Sequence, residues 1–518
     1  MATLANPQLD DELLVDVSVP LSGVNNSLPP NAIAKNEVED GENRLTQSDG
    51  LNRPRPGLIR LKKTSPTGGL DSIHHLGNGV FLVNDGALWY TYDNRSGTLT
   101  SRAGGPNYLT GDQVYSTLAD TELYFAKGTT LDKYDPATNT FGTVTLLSQY
   151  PTALYPIWAN YRLMYAYQNT IVISDILDPE YFDPTGQSVV TLDPVITDEI
   201  TGQILWKDQR IAAFRNGSTW LIETGPGLPV LNWSVNRVSA TIGCRCHGTV
   251  VQAGNDVYFL SETGRGIYAL GQAPTSDEQG IWIPLSASIQ DYINRINWAA
   301  CDNARATYWN DLYLLSIPLD GASFNNFILV YSVSLKSWQG LWCFDINGVD
   351  TGARDGARDR SDPNGTVMMI GTHDGTIARF SYPVDRQYYD KNIDLTLDYF
   401  TSTIRGRAFT FGEDINQIRP HSMRFQFLES EDPVQFTALA DRTIELYKRT
   451  LDTSSYLLSL TIPGFPFDLD REGFAQRVVA LLKTGICTEL QFLLEGTGNW
   501  TLFSVKAAAF ETHPLIPE

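Results

Sequence analysis

Cysteine is scarce in this chain of 518 residues: there are five, Cys244, Cys246, Cys301, Cys343 and Cys487. So odd and sparse a set excludes a disulfide framework and points to synthesis in a reducing compartment. Long apolar runs are missing as well. No stretch approaches the ~18 uninterrupted apolar residues of a membrane helix. The opening MATLANPQLDDELLVDVSVP has neither a basic start nor an apolar core of signal-peptide length. Neither membrane spanning nor secretion by the common route is expected. Basic residues are the minority, 38 Lys and Arg against 59 Asp and Glu, for a formal net charge of −21. Affinity for phosphates comes from Lys and Arg displacing counterions, so a surface that grips nucleic acid is excluded.

Recognisable chemistry is also thin. Cys244-Arg245-Cys246-His247 is the most metal-like spot. A structural zinc site needs four ligands, usually two spaced pairs, and no second Cys/His pair accompanies this one. In a strand, Cys244 and Cys246 would share one face and His247 would take the other, so two small buried apolar residues are expected and no metal. His74 and His75 project to opposite sides of a strand, and His373 sits in the turn of GTHDGT. No nucleophile is paired with any of them in sequence. A glycosidase needs two carboxylates across a scissile bond. The chain has carboxylates enough, but no arginine triad and no repeated Ser-x-Asp-x-Gly-x-x-Trp turn. GxGxxG and P-loop patterns are absent after any strand that opens a helix. The expectation is a protein that is not an enzyme, with no catalytic, cofactor-binding or metal-ligating residues and no cofactor.

What the chain does have is a short strand-turn-strand unit that recurs. It reads GNGVFLVNDGALWYTYD from Gly77, DTELYFAKGTTLDKYD from Asp120, NYRLMYAYQNTIVISD from Asn160 and KDQRIAAFRNGSTWLIE from Lys207. It continues as GNDVYFLSETGRGIYAL from Gly254, NDLYLLSIP with FNNFILVYS from Asn310, and GTVMMIGTHDGTIARF from Gly365. Alternating apolar residues meet a polar turn such as NDG, NGS or HDG and resume beyond it, which is the hairpin signal. A lone hairpin is marginal in water, so units at a spacing of roughly 40 to 56 residues must pack on one another, as propeller blades do. The 22 Phe, 24 Tyr and 11 Trp suit half-buried strands, and the 42 Gly and 27 Pro fall mostly in turns.

The predicted fold is all-β: a β-propeller of six or seven blades, seven favoured, then an antiparallel sandwich-like unit, with few short helices. Residues 1–50 are polar and acidic and read as an arm or linker. Leu13, Leu14, Val15, Val17 and Val19 there could form a strand, in this chain's sheet or in another's. Residues 51–385 make the propeller and 386–518 the C-terminal β-rich unit. Within the propeller, Ile289, Tyr292, Ile293 and Ile296 follow the spacing of a helix face, with Ser286 or Ser288 to cap it. GARDGARDRSDPNG (Gly352 to Gly365) reads as a surface loop. The last unit shows IDLTLDYFTST, SMRFQFLES, YLLSLTIPG, TELQFLLEG and WTLFSVKAAAF as strands. One helix is expected with Phe474, Val478 and Leu481 on a face and Gly485 at its stop. RPRPGLIRLKK (Arg53 to Lys63) packs five basic residues into eleven positions. Such a run binds phosphates, forms a solvated face or pairs with acids elsewhere in the chain.

The order of these features resembles the tail nozzle, or tail hub, of short-tailed bacteriophages, the phage stabilisation protein family. The stretches that carry the likeness are NRPRPGLIRL from Asn52 and ITGQILWKDQRIAAFRNGSTWLIETG from Ile200, followed by a strand led by Trp233. ATIGCRCHGTVVQAGNDVYFLSETGRGIYAL from Ala240, IQDYINRINWAACDNARATYWNDLYLLSIP from Ile289 and LKSWQGLW from Leu335 complete it. The likeness spans about residues 52 to 345 and is architectural. It implies a homohexameric ring in the virion tail, assembled in the host bacterial cytoplasm. Such a ring sits below the portal and adaptor rings, meets tail fibre or tip proteins, and passes double-stranded DNA without specific binding. Two other classes fit a propeller: a carbohydrate-binding or glycoside-hydrolysing protein, and an intracellular scaffold.

Overall fold

Successive side chains of a strand point to opposite faces. In the strand Val80–Asp85, Phe81 and Val83 take one face and Leu82 the other, and all three are fully buried. A strand that is apolar on both faces needs cover on both. The computed structural model describes residues 13–18, 22–46, 50–64, 69–109, 111–185, 187–195, 198–207, 210–225, 228–272, 282–346, 349–351, 355–358, 367–381, 388–410, 417–428, 430, 432–453, 474–480 and 487–512. In it, seven antiparallel blades stand in a ring, each covering its neighbours.

Blade 1 is Ser72–Gly77, Val80–Asp85, Leu88–Asp93 and Thr98–Arg102. Blade 2 is Tyr115–Ala119, Glu122–Ala126, Leu131–Asp135 and Thr140–Val144. Blade 3 runs from Leu154–Ala159 to Val189–Thr191 and blade 4 from Gly202–Trp206 to Ser234–Ser239, each four-stranded. Blade 5, three-stranded among the described residues, begins with Val251–Ala253, and blade 6 with Arg305–Trp309. Blade 7 is Asp355–Arg358, Met368–Gly371 and Thr376–Phe380, with its outer strand supplied by Leu58–Lys63 from the other end of the propeller. Six of the seven hairpins read from the sequence form the middle strands of a blade, and the one from Gly254 forms the middle strand and an end strand of blade 5.

Six of the seven junctions between blades have their own core. Leu82 and Trp89 of blade 1 meet Leu123 and Phe125 of blade 2, whereas Tyr124 and Ala126 turn to Leu163 and Tyr165 of blade 3. Met164 and Ala166 continue to Ile211 and Ala213 of blade 4, and Ala212 and Phe214 to Val257 and Phe259 of blade 5. Trp309 and Val330 of blade 6 face Met368 and Ile370 of blade 7, and Met369 and Ile377 close the circle on Phe81 and Val83. The strict two-residue alternation of the sequence is thus spent on two different neighbours.

The remaining junction, blade 5 to blade 6, merges with the core of the C-terminal unit. That unit is a sandwich. One sheet orders Arg44–Thr46, Asn52–Pro54, Thr501–Thr512, Gln417–Leu428 and Phe474–Ala480, with Leu13–Ser18 also paired to Thr501–Thr512. The other contains Val38–Glu42, Thr401–Gly406, Leu490–Thr497, Val434–Ala440 and Ile444–Leu451. It runs without a break into blade 6, because Val38–Glu42 lies parallel to Ser337–Trp342. Phe425 and Phe427 from the first sheet pack on Phe436 and Phe492 from the second.

Four sequence expectations change. The acidic segment read as arm or linker supplies Leu13–Ser18, Val38–Glu42 and Arg44–Thr46 to this chain's own sheets. Its carboxylates are bonded internally: Glu39 pairs with Arg405 at 3.1 Å and Asp40 accepts the Tyr292 hydroxyl. Part of the expected loop, Asp355–Arg358, is the innermost strand of blade 7. A Cβ on Gly356 would lie 2.5 Å from Met368 Cε, so a glycine-rich sequence suits that tight place. Phe474–Ala480 is a strand, paired from Leu428↔Phe474 to Ser422↔Ala480, where a helix was expected. Its β-branched and aromatic content serves either state, and sheet pairing decides. Leu481, Gly485, YLLSLTIPG and the rest of the 352–365 stretch lie outside the described residues. The helix near 290 does form, as Gln290–Asn294 with Ile289, Tyr292, Ile293 and Ile296 buried, but neither serine caps it. Ser286 Oγ instead accepts the Ile267 amide at 3.0 Å.

Candidate functional site: the propeller axis

The first strand of each blade lines the axis and touches the first strand of the next. What fills the axis follows from the inward residues of those strands. Blade 1 brings His74, blade 2 Tyr115, blade 3 Tyr155, blade 4 Gln203, the turn before blade 5 His247, and blade 6 Arg305. Tyr115, Tyr155 and His247 form a ring cluster with centroids 4.7 to 5.1 Å apart. The Arg305 guanidinium lies 5.0 Å from the Tyr115 ring and donates to Gln113 Oε1 at 2.8 Å. The axis is therefore plugged by aromatic and polar side chains and is no tube for a polymer.

Burial sets the charge of this plug. Removal from water, with the Arg305 charge added, pushes both His74 and His247 down to about 3, so each imidazole is neutral at neutral pH. Burial likewise pushes the Tyr115 and Tyr155 hydroxyls up. His74 bridges Ser116 Oγ at 2.8 Å and Ser72 Oγ at 2.9 Å. That is a serine–histidine contact, with Ser72 and His74 buried and Ser116 half-buried.

The other singled-out residues fall in separate places. Cys244 and Cys246 are both buried, but they precede a short 3-10 turn, His247–Thr249, and do not lie in a strand. Cys244 Sγ lies 3.1 Å from the Cys246 carbonyl oxygen, and burial pushes its thiol up to about 12. Among the described residues no group of three His, Cys, Asp or Glu side chains is placed to hold a metal ion. His75 leaves the axis for Phe81, 5.2 Å between rings, and His373 packs edge-on to Phe324 at 5.0 Å.

The basic run from Arg53 serves intramolecular acid. Arg55 is fully buried and grips Asp390 with two parallel bonds, Nη1 to Oδ1 at 2.9 Å and Nη2 to Oδ2 at 2.8 Å. It also donates to Asn43 Oδ1 at 2.9 Å and to the Cys343 carbonyl at 3.0 Å, and its guanidinium lies 3.8 Å from the Phe400 ring. One side chain thus bolts the closing strand of the propeller, the end of blade 6 and the start of the C-terminal unit together. Further along, Lys63 reaches Asp374 at 3.8 Å in a groove of about 1000 Å³. Arg60 and Lys63 share that groove with Glu42, Asp374, Asp390, Asp394 and Asp398, so acid outnumbers base and phosphate is disfavoured.

No family model matches the chain, and no curated protein matches it. Solved structures similar to it include a streptogramin B lyase structure, at 11% identity and TM-score 0.42, covering 63% of this chain and 97% of that one. The WD40 β-propeller domain of Doa1 is similar at 7% identity and TM-score 0.38, again covering 63% and 97%. Likenesses this remote say nothing of activity. The propeller stands on its own sheets: seven blades in a closed ring.

Sequence reasoning passed over Arg305 and the Arg55–Asp390 pair. Arg305 opens the first strand of blade 6, one of the strands that line the axis. The pair had no local signal, since its members are 335 residues apart.

Proposed function

We propose that the chain is a structural subunit of a bacteriophage virion, a tail nozzle or hub protein whose copies form a ring around the path of the leaving genome. Seven blades welded to a sandwich make a rigid scaffold in the plain structural sense. The observation that carries the finer reading is the weld itself. Blade 6 and the sandwich share one nine-stranded sheet and one core, and Arg55 pins the same junction. A wall segment that bears load without hinging needs such a joint, whereas a binding or catalytic propeller works without one.

Since the axis is plugged, DNA would pass through the lumen between subunits, not through a propeller. Six copies at −21 each bring a total of −126 to that ring. Acid facing the path keeps phosphates from adhering during ejection. In this role the protein guides and does not react, and its neighbours are the adaptor or portal ring above and fibre or tip proteins below. Native mass spectrometry of the purified chain, alone and with portal and adaptor rings, tests the reading. Six copies per ring are expected. A monomer under both conditions, or salt-sensitive binding of duplex DNA, overturns it in favour of an ordinary propeller scaffold.

A further inference from the structure

One mouth of the propeller axis opens into a cavity of about 200 Å³. Four blades supply its walls: Asp71 precedes blade 1, Gln113 precedes blade 2, Arg305, Phe324 and Asn325 belong to blade 6, and His373 lies in the turn of blade 7. A water needs roughly 10–15 Å³ of such space, so the cavity has room for more than ten. That is space for one small ring-shaped ligand. The Tyr115, Tyr155 and His247 cluster lies deeper on the axis and bars a longer one.

The walls carry one fixed charge of each sign, Asp71 and Arg305, both buried at 3% and 8% exposure. The two cancel, which favours a ligand with no net charge. Both are held in place. Asp71 accepts the Gly86 amide at 2.7 Å and the Gly111 amide at 2.8 Å, and Arg305 donates to Gln113 Oε1 at 2.8 Å and to the Ala304 carbonyl at 3.2 Å. Arg305 also donates to the Tyr115 hydroxyl at 3.4 Å, and both side chains line the cavity with these partners in place. Asn325 donates to the Asn303 carbonyl at 2.8 Å, which fixes the amide wall. The half-buried Phe324, steadied by His373, adds an apolar face beside these polar groups. Fixed donors and acceptors lower the ordering cost of binding.

A group that donates and accepts at adjacent positions, and also has an apolar face, matches this set. We propose that the mouth of the axis binds a single neutral sugar ring, whose vicinal hydroxyls bridge Asp71 and Arg305 while its C–H face lies on Phe324. This gives the protein a glycan-reading function beyond its role in a ring, and it stands independently of that role.

Isothermal titration of the full chain with glucose, galactose, mannose and N-acetylglucosamine tests it, with glucuronate and inorganic phosphate as charged comparisons. At least one neutral sugar is expected to bind with a Kd of about 1 mM or tighter. Ser323→Trp, at an exposed position on the cavity wall, is expected to weaken that binding at least tenfold while the melting temperature stays within a few degrees. Arg305→Lys is expected to weaken it as well. Absence of binding by every neutral sugar overturns the proposal. So does tighter binding of glucuronate or phosphate, or undiminished binding in a folded Ser323→Trp protein. None of these outcomes changes the copy number per ring, so the two readings fail separately.

Discussion

The propeller and the sandwich solve the same problem of covering apolar strands in opposite ways. The propeller divides its interior among separate small cores at six of its seven blade junctions. The sandwich has one large core that continues into the contact between blades 5 and 6. Damage to a blade should therefore stay local, whereas damage at the junction should reach both bodies. The fold is modular around the ring and indivisible where it is anchored.

The largest effect is expected at the anchor. Arg55→Ala leaves Asp390 buried without its bidentate partner and should destabilise the chain by about 3–5 kcal/mol. Chemical denaturation measures the loss, and hydrogen exchange should show protection falling in blade 7 and the sandwich together. Loss confined to one of them would break the contrast between the two regions. Leu82→Ala, in the core between blades 1 and 2, should cost about 2–5 kcal/mol by cavity formation. Here lost protection should be confined to those blades, and spread to the sandwich would show that the cores are not separate.

Acid offers a finer probe of the axis. Unfolded, His74 and His247 titrate near 6.5, whereas folded both are held down at about 3. Between those values the unfolded chain binds more protons, so stability should fall as pH drops from about 6.5 towards 3. The slope is up to about 1.4 kcal/mol per pH unit for each histidine. Replacing both by glutamine should flatten that part of the profile, and an unchanged slope would mean that the axis is open to water. The smallest effect belongs to a turn. Gly86 has φ of 59° in the first hairpin. Gly86→Val should weaken blade 1 by about 1 kcal/mol or more, read as a shift in the denaturation midpoint. No shift would place the turn elsewhere.

The middle strands of the blades were plain in the sequence because they are buried on both faces and sit beside turn residues. Outer strands were not, since Thr98–Arg102 is largely exposed and carries little apolar pattern. Pairings across the whole chain left no trace either. The acidic run from Asn36 to Glu42 looks like a solvated linker until Arg405 and Tyr292, hundreds of residues away, take up its carboxylates. Phe474–Ala480 misled for another reason, as its side chains satisfy both periods over so short a length. Of the axis, sequence singled out His74 and His247, but only the ring shows that they share it with Arg305.

The strand Leu58–Lys63 is made early and used late. Its partner Thr376–Phe380 leaves the ribosome more than 300 residues afterwards, roughly 15 to 60 s at ordinary rates of synthesis. Throughout that interval the nascent protein is an open arc with bare edges at both ends, and such edges recruit other chains. Biogenesis, rather than the finished fold, is then its vulnerable stage, and a rotated gene that starts at blade 1 and ends with residues 58–63 would shorten the wait without removing it, since residues 381–518 and 1–57 would still separate the two strands.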